Sequence, residues 1–260
     1  MQKTVPELKN RIFPISVSCL TLSFLLLPYK QIHSTNGENS TVNLSFTKTS
    51  VLNDSLLVLN TVDEGNALYD SLKLKKAGLT KEAFDFAWKG YNTLIEKNYI
   101  SRKGVLTICD FSQSSRRKRM YLVDIENSKL LLQTYVAHGR NSGKEYAAKF
   151  SNKPESLQSS LGFFVTRSTY YGSHGLALTI DGLESGINDK AERRKIVVHG
   201  SEYVGANYLR FSKYMGRSFG CPAVPARQTR TIINTIKNGT CFFIYHPSKK
   251  YKETSTILNG

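Results

Sequence analysis

Hydrophobic positions follow three different rhythms along the 260-residue chain. The first is an apolar run from Ile12 to Leu27, broken by Pro14 and small polar residues and preceded by Lys3, Lys9 and Arg11. A basic start, an apolar stretch and then Ser, Thr and Asn form the layout of an export signal. The stretch is slightly short of the ~20 residues of a comfortable membrane span, and no small-residue cleavage site follows it. A cleaved signal and a retained anchor therefore both fit residues 1–34. Residues 35–65 are rich in Ser, Thr and Asn without periodicity and read as a linker. The second rhythm is helical and runs through 66–104. Thr80 can cap a helix in which Phe84, Ala87, Trp88, Tyr91, Leu94 and Ile95 recur at spacings of three and four. That stripe needs a surface to cover. The third rhythm supplies it over residues 105–250. VLTICDF, RMYLVDI, KLLLQTYVAHG, LGFFVT, GLALTI, KIVVHG and TCFFIYH are β-branched or aromatic runs, with a turn at Glu126-Asn127-Ser128 that predicts a hairpin. One helix is expected between Pro225 and Gly239. The predicted fold is mainly β with flanking helices, preceded by a helical segment.

Composition narrows the class. Hydrophobic residues make up 40% of the chain and aromatics 11%, enough for a core and too many for a disordered polypeptide. Lys and Arg number 36 against 20 Asp and Glu, a formal charge of +16. Such a chain meets an anionic partner: nucleic acid, a membrane surface or an acidic polymer. Export removes nucleic acid, leaves the membrane to the N-terminal segment, and points the charge toward an anionic cell-wall polymer. Arg116-Arg117-Lys118-Arg119 and Arg193-Arg194-Lys195 concentrate part of it. Cys19 lies in the apolar run, and the remaining Cys109, Cys221 and Cys241 cannot all pair. Cys109 and Cys241 sit in apolar strand runs and read as core residues.

Cys221 has different neighbours. It lies in Gly216-Arg217-Ser218-Phe219-Gly220-Cys221-Pro222-Ala223-Val224-Pro225, between a glycine-flexible turn and a proline. A core cysteine has no need of that setting. A nucleophile does, because small neighbours admit a substrate carbonyl and nearby backbone N–H groups stabilise an oxyanion. The strand Ile196-Val197-Val198 ends in His199-Gly200-Ser201, and a histidine there can take the thiol proton.

These segments resemble the L,D-transpeptidase (YkuD-like) catalytic domain, over roughly residues 100–246. Ser218-Phe219-Gly220-Cys221-Pro222-Ala223 is similar to the Ser-(Trp/Phe)-Gly-Cys-Pro-Ala motif of its murein branch. His199-Gly200, Ser160-Leu161-Gly162-Phe163-Phe164 and Gly239-Thr240 match further family segments in the same order. Phe219 stands where the commoner signature has a second histidine, and Ala223 where it has Asn or Arg. The interval from His199 to Ser218 is also a few residues longer. The resemblance implies a β-sandwich catalytic domain that acts on peptidoglycan stem peptides without metal or organic cofactor. It implies Cys221 as nucleophile attacking the bond before the terminal D-Ala, His199 as base, and Ser218 and Gly220 shaping the turn and oxyanion site. Transfer to an amine forms a cross-link, and transfer to water is carboxypeptidase chemistry. Arg217, His138 and Ser201 are candidate substrate-binding residues, and either Ser201 or the Gly200 carbonyl can orient the imidazole.

His174 reads as a loop histidine. A metal site from His138, His174, His199 and Asp181 lacks ligand spacing such as H-x₃-H. The competing readings are a wall-binding module without catalysis and a cysteine peptidase of another family. Papain-like enzymes place Cys before His, the reverse of the order here.

Overall fold

The structure, a computed structural model, describes residues 59–260. The expected signal or anchor, 1–34, and most of the expected linker lie outside the described residues. No helix among the described residues is long and apolar enough to cross a membrane.

Eight strands form one sheet: β1 (Val105–Asp110), β2 (Met120–Asp124), β3 (Lys129–Thr134), β4 (Gly162–Gly172), β5 (Gly175–Gly182), β6 (Val197–Ser201), β7 (Ala223–Pro225) and β8 (Cys241–Tyr245). Their order is β3-β2-β1-β8-β4-β5-β6-β7. The fold is mainly β with flanking helices, and all seven apolar runs of the sequence contribute a strand. β8 runs parallel to β1 and antiparallel to β4, so it joins the two halves of the sheet. Every residue of β1 and β8 is buried. Strands covered on both faces read as continuous apolar runs rather than as alternation, and these two do.

The cover on one side is α3 (Lys81–Glu96). Thr80 caps it, its Oγ1 accepting from the Ala83 N–H at 3.3 Å. Ala83, Phe84, Ala87, Gly90, Tyr91 and Leu94 form its buried stripe. A Cβ at Gly90 would stand 1.9 Å from the Phe163 ring of β4, so only glycine lets the helix approach this closely. Ahead of α3 lie α1, over residues 59–71, and α2 (Leu74–Ala77). Helix therefore occupies 59–65, where polar composition predicts linker. Tertiary contact overrides that composition: the Trp88 indole N–H donates to the Thr61 carbonyl at 2.7 Å. Downstream come α4 (Ala206–Leu209), α5 (Thr229–Ile236), α6 (Lys249–Thr254) and α7 (Thr256–Asn259). Pro225 ends β7, and a 3₁₀ turn at Ala226–Gln228 leads into α5. The Glu184 carboxylate, fully buried, accepts from the Phe163 N–H at 2.7 Å and from the Tyr251 and Ser255 hydroxyls, and so ties α6 and α7 to β4.

The sheet also meets itself. Beyond β3 the chain turns toward the strand that leads into β7. The Ala137 N–H donates to the Ala223 carbonyl at 2.8 Å, Ser218 N–H to the His138 carbonyl at 3.0 Å, and Arg140 N–H to the Ser218 carbonyl at 2.8 Å. This seam nearly closes a barrel, and Cys221 lies on it.

Candidate active site

Strand β6 presents His199 and the chain entering β7 presents Cys221. The two strands are parallel with His199 opposite Ala223, so Cys221 lies two residues ahead of the position facing the histidine. The turn before Cys221 is held from several sides. Ser218 Oγ accepts from the Gly220 N–H at 3.1 Å and donates to the Cys221 carbonyl at 2.6 Å. Ser159 Oγ donates to the Gly220 carbonyl at 3.1 Å. Gly220 has φ +127°, and a Cβ there would lie 2.8 Å from the Gln158 carbonyl oxygen. Residue 220 is thus confined to glycine by both conformation and space.

The thiol is partly buried. It accepts from the Val197 N–H at 3.5 Å and donates to the Lys195 carbonyl at 3.6 Å. Burial pushes its pKa above the ordinary thiol value, while the Val197 N–H and the positive charge of Arg194 act the other way. Arg194 is anchored by the carbonyls of Ser151, at 2.6 Å, and Gln158, at 2.5 Å. Sequence reasoning did not single it out, since only the fold separates it from Arg193 and Lys195.

His199 is buried, and its Nδ1 lies 3.0 Å from the Gly200 carbonyl. A carbonyl only accepts, so Nδ1 carries the proton and Nε2 keeps the lone pair. Burial lowers its pKa first, and the charge of His174 lowers it further, against the Gly200 carbonyl. The imidazole is therefore neutral near pH 7, the form a general base needs. Of the two candidate orienting groups, the Gly200 carbonyl makes the bond, and Ser201 Oγ instead accepts from the Tyr203 N–H at 3.4 Å. His174, exposed at the start of β5, stacks on His199 at 4.7 Å between centroids.

The remaining candidates bond to other groups. Arg217 bonds the carbonyls of Arg140 and Gly143, each at 3.2 Å, and lies over the Tyr214 ring. His138, expected to face a groove, is buried instead. Its Nδ1 accepts from Arg119 at 2.7 Å, and its ring meets Phe111 edge-on. Burial, and then the Arg119 charge, push its pKa down to about 3. Arg119 itself is fully buried without a carboxylate and binds the carbonyls of Val136 and Gln113. Cys109 and Cys241 are free thiols buried in β1 and β8, and burial pushes both up. Asp181 pairs with Arg167 at 2.6 Å. No three His, Cys, Asp or Glu side chains among the described residues gather as a metal site.

A cysteine stands on a braced turn at one seam of a nearly closed sheet, and the strand that pairs with the next one carries a buried, oriented histidine. The chain belongs to the L,D-transpeptidase catalytic domain family, whose model matches residues 75–245. Among curated proteins, none matches the chain. Solved structures similar to it include an L,D-transpeptidase from Mycobacterium smegmatis, at 12% identity and TM-score 0.33, over 55% of this chain and 59% of that one. An L,D-transpeptidase from Xylanimonas cellulosilytica matches at 17% identity and TM-score 0.32, over 59% and 68% of the two chains. The helical cell shape determining protein of Campylobacter jejuni matches at 15% identity and TM-score 0.32, over 65% and 60%. The chain thus spans less than two thirds of the Mycobacterium smegmatis structure.

Proposed function

We propose that the protein is an exported peptidoglycan L,D-transpeptidase with Cys221 as nucleophile and His199 as general base. The observation that carries this reading is the pairing of β6 with β7, which sets His199, its Nδ1 committed to the Gly200 carbonyl and its Nε2 left to accept, on the strand next to the one that Cys221 leads into. The resting sulfur is a thiol, because burial raises its pKa. Proton transfer to His199 therefore accompanies attack on the carbonyl of the third stem residue. The new S–C bond forms a tetrahedral oxyanion, and the Cys221 N–H is the donor assigned to it. Collapse breaks the C–N bond to D-Ala, whose amine takes the proton from His199. An acceptor amine or water then attacks the thioester and gives its proton to His199; the C–S bond breaks, and His199 returns that proton to the sulfur, restoring thiol and neutral imidazole. Arg194 and the Val197 N–H favour thiolate character as the acyl group leaves.

Access to the wall is assigned to the apolar segment 12–27, and affinity for the anionic wall polymer to the excess of basic residues. The test is incubation with purified disaccharide-tetrapeptide and mass analysis of the products. Loss of D-Ala with a cross-linked dimer, or with tripeptide when water is the acceptor, is expected. Full turnover by Cys221→Ala would overturn the assignment.

A further inference from the structure

The segment between His199 and Cys221 does more than connect them. Residues 203–217 wall a groove of about 520 Å³ whose lining includes Arg140, Tyr203, Tyr208, Phe211, Lys213 and Arg217. No carboxylate lines it. Phe211 is 91% exposed, which is unusual for a side chain whose transfer from water is so favourable. Phe219, two residues from Cys221, is 66% exposed and lies under the Arg140 guanidinium at 5.2 Å. Arg217 lies over Tyr214 at 5.4 Å in the same way. Phe219 and Tyr214 each have a cation on one face, and the groove combines flat aromatic surfaces with uncompensated positive charge.

The groove is also built rather than loose. Arg116 donates to the Ser212 and Lys213 carbonyls, at 3.3 Å and 2.6 Å. Gly216 N–H donates to the Tyr203 carbonyl at 3.0 Å, and Met215 is fully buried beneath. A Cβ at Gly216 would strike the Tyr203 ring at 2.5 Å, so this part of the groove is packed tightly. Arg217, in the groove wall, stands four residues before Cys221 in the chain, on the strand side that the Ser218–His138 bond ties into the seam. A surface of this kind suits a partner with apolar C–H faces and negative groups on one strand. Pyranose rings present such C–H faces to aromatic π-systems, and carboxylates answer guanidinium and ammonium groups. A concave cleft favours a strand over a bilayer, which would be met by a protruding face.

We infer that this groove is a binding site for the sugar-bearing, carboxylate-carrying part of the substrate strand, holding the amino-sugar glycan while the attached peptide reaches Cys221. The inference rests on the peptidoglycan reading above. It makes sugar recognition a property of the segment between His199 and Cys221 rather than of the catalytic pair.

The test compares disaccharide-tetrapeptide with the same tetrapeptide lacking sugar, using the full chain and its Phe211→Ser and Lys213→Glu variants. Both changes lie at exposed positions and leave the core untouched. The wild-type protein is expected to show a lower KM for the sugar-bearing substrate, and each variant to erode that preference about five-fold with kcat retained. In parallel, soluble glycan strands are titrated against the Cys221→Ala chain, with and without Phe211→Ser. Weaker strand binding by the double variant supports the site even where turnover is absent, so failure of the activity and failure of the groove read differently. Equal KM values for both substrates in the wild type, or strand binding unchanged by both groove substitutions, would overturn it. Binding to vesicles of anionic phospholipid that Phe211→Ser abolishes, with strand binding intact, would likewise overturn it in favour of a membrane surface.

Discussion

The imidazole of His174 lies over that of His199, with ring centroids 4.7 Å apart and planes 24° from parallel. The upper ring is exposed and the lower one buried, and Tyr171, Glu202 and Arg230 line the cleft beside His174. The stack gives the proposed base an aromatic cover.

That cover predicts a pH profile. With His199 as the proposed base, only its neutral form accepts the thiol proton, so activity is expected to fall as pH drops through its pKa. Burial and His174 both lower that pKa, which places the acid limb of kcat/KM below the ordinary histidine value of ~6.5. His174→Ala removes both cover and charge and should move the limb up toward that value. His174→Phe keeps the ring and should move it less. A limb unmoved by His174→Ala would show that the stack has no hold on the base.

Among the cysteines of the described chain, Cys221 alone should react with a thiol reagent in the folded state. Cys109 and Cys241 are fully buried in adjacent strands. Alkylation followed by peptide mapping should find the label on Cys221, with a rate that climbs with pH beyond the ordinary thiol value of ~8.5, because burial raises this thiol. Cys221→Ala should abolish turnover and Cys109→Ala should preserve it.

Gly220→Ala places a side chain at φ +127° and against the Gln158 carbonyl. The expected result is a loss in kcat of about a hundred-fold, because displacement of the nucleophile by even 1 Å is costly. The change in KM should be small by comparison, since the groove lies on other residues. Steady-state kinetics on a variant checked for folding by circular dichroism reads both.

Arg119 and His138 should dominate the acid sensitivity of the fold. His138 is neutral in the folded chain down to about pH 3, whereas unfolded histidine takes a proton near ~6.5. The unfolded state therefore binds more protons between these values, so the contribution to stability is full above ~6.5 and is lost as pH falls toward 3. His199 and His246, both lowered mainly by burial, add in the same direction. Urea unfolding should be flatter against pH for His138→Gln than for the wild type. Arg119→Ala should cost about 3 kcal/mol or more at neutral pH, because it leaves two buried carbonyls without donors and opens a cavity.

Much of the architecture is written in local patterns. The seven apolar runs become strands, Thr80 caps its helix, His199 falls on β6, and Cys221 falls on a turn just ahead of β7, as its flanking glycine and proline suggest. What sequence could not supply depends on partners distant in the chain. Ala223–Pro225 is a strand only because His199–Ser201 lies beside it. Arg119 ends a run of four basic residues whose first three are exposed, and only its place at the start of β2 turns it inward. His174 gains its role from a hairpin, β4 to β5, that carries it back over the base. Arg194 is told apart from Arg193 only by the carbonyls that hold it.

The place of β8 in the sheet has a further consequence for how the molecule comes to be active. β1–β3 form one antiparallel meander and β4–β6 another, extended by the parallel β7, and each meander can begin to pair as the chain emerges. The seam that braces the nucleophile needs both: His138 and Arg140 come from beyond β3, Ser218 and Cys221 from ahead of β7. The strand that welds the meanders is Cys241–Tyr245, and its partner begins at Leu106. Closing a contact across so long a stretch is slow and comes late. Competence therefore arrives with the final strand, and a chain still being made carries its reactive sulfur in an unfinished setting.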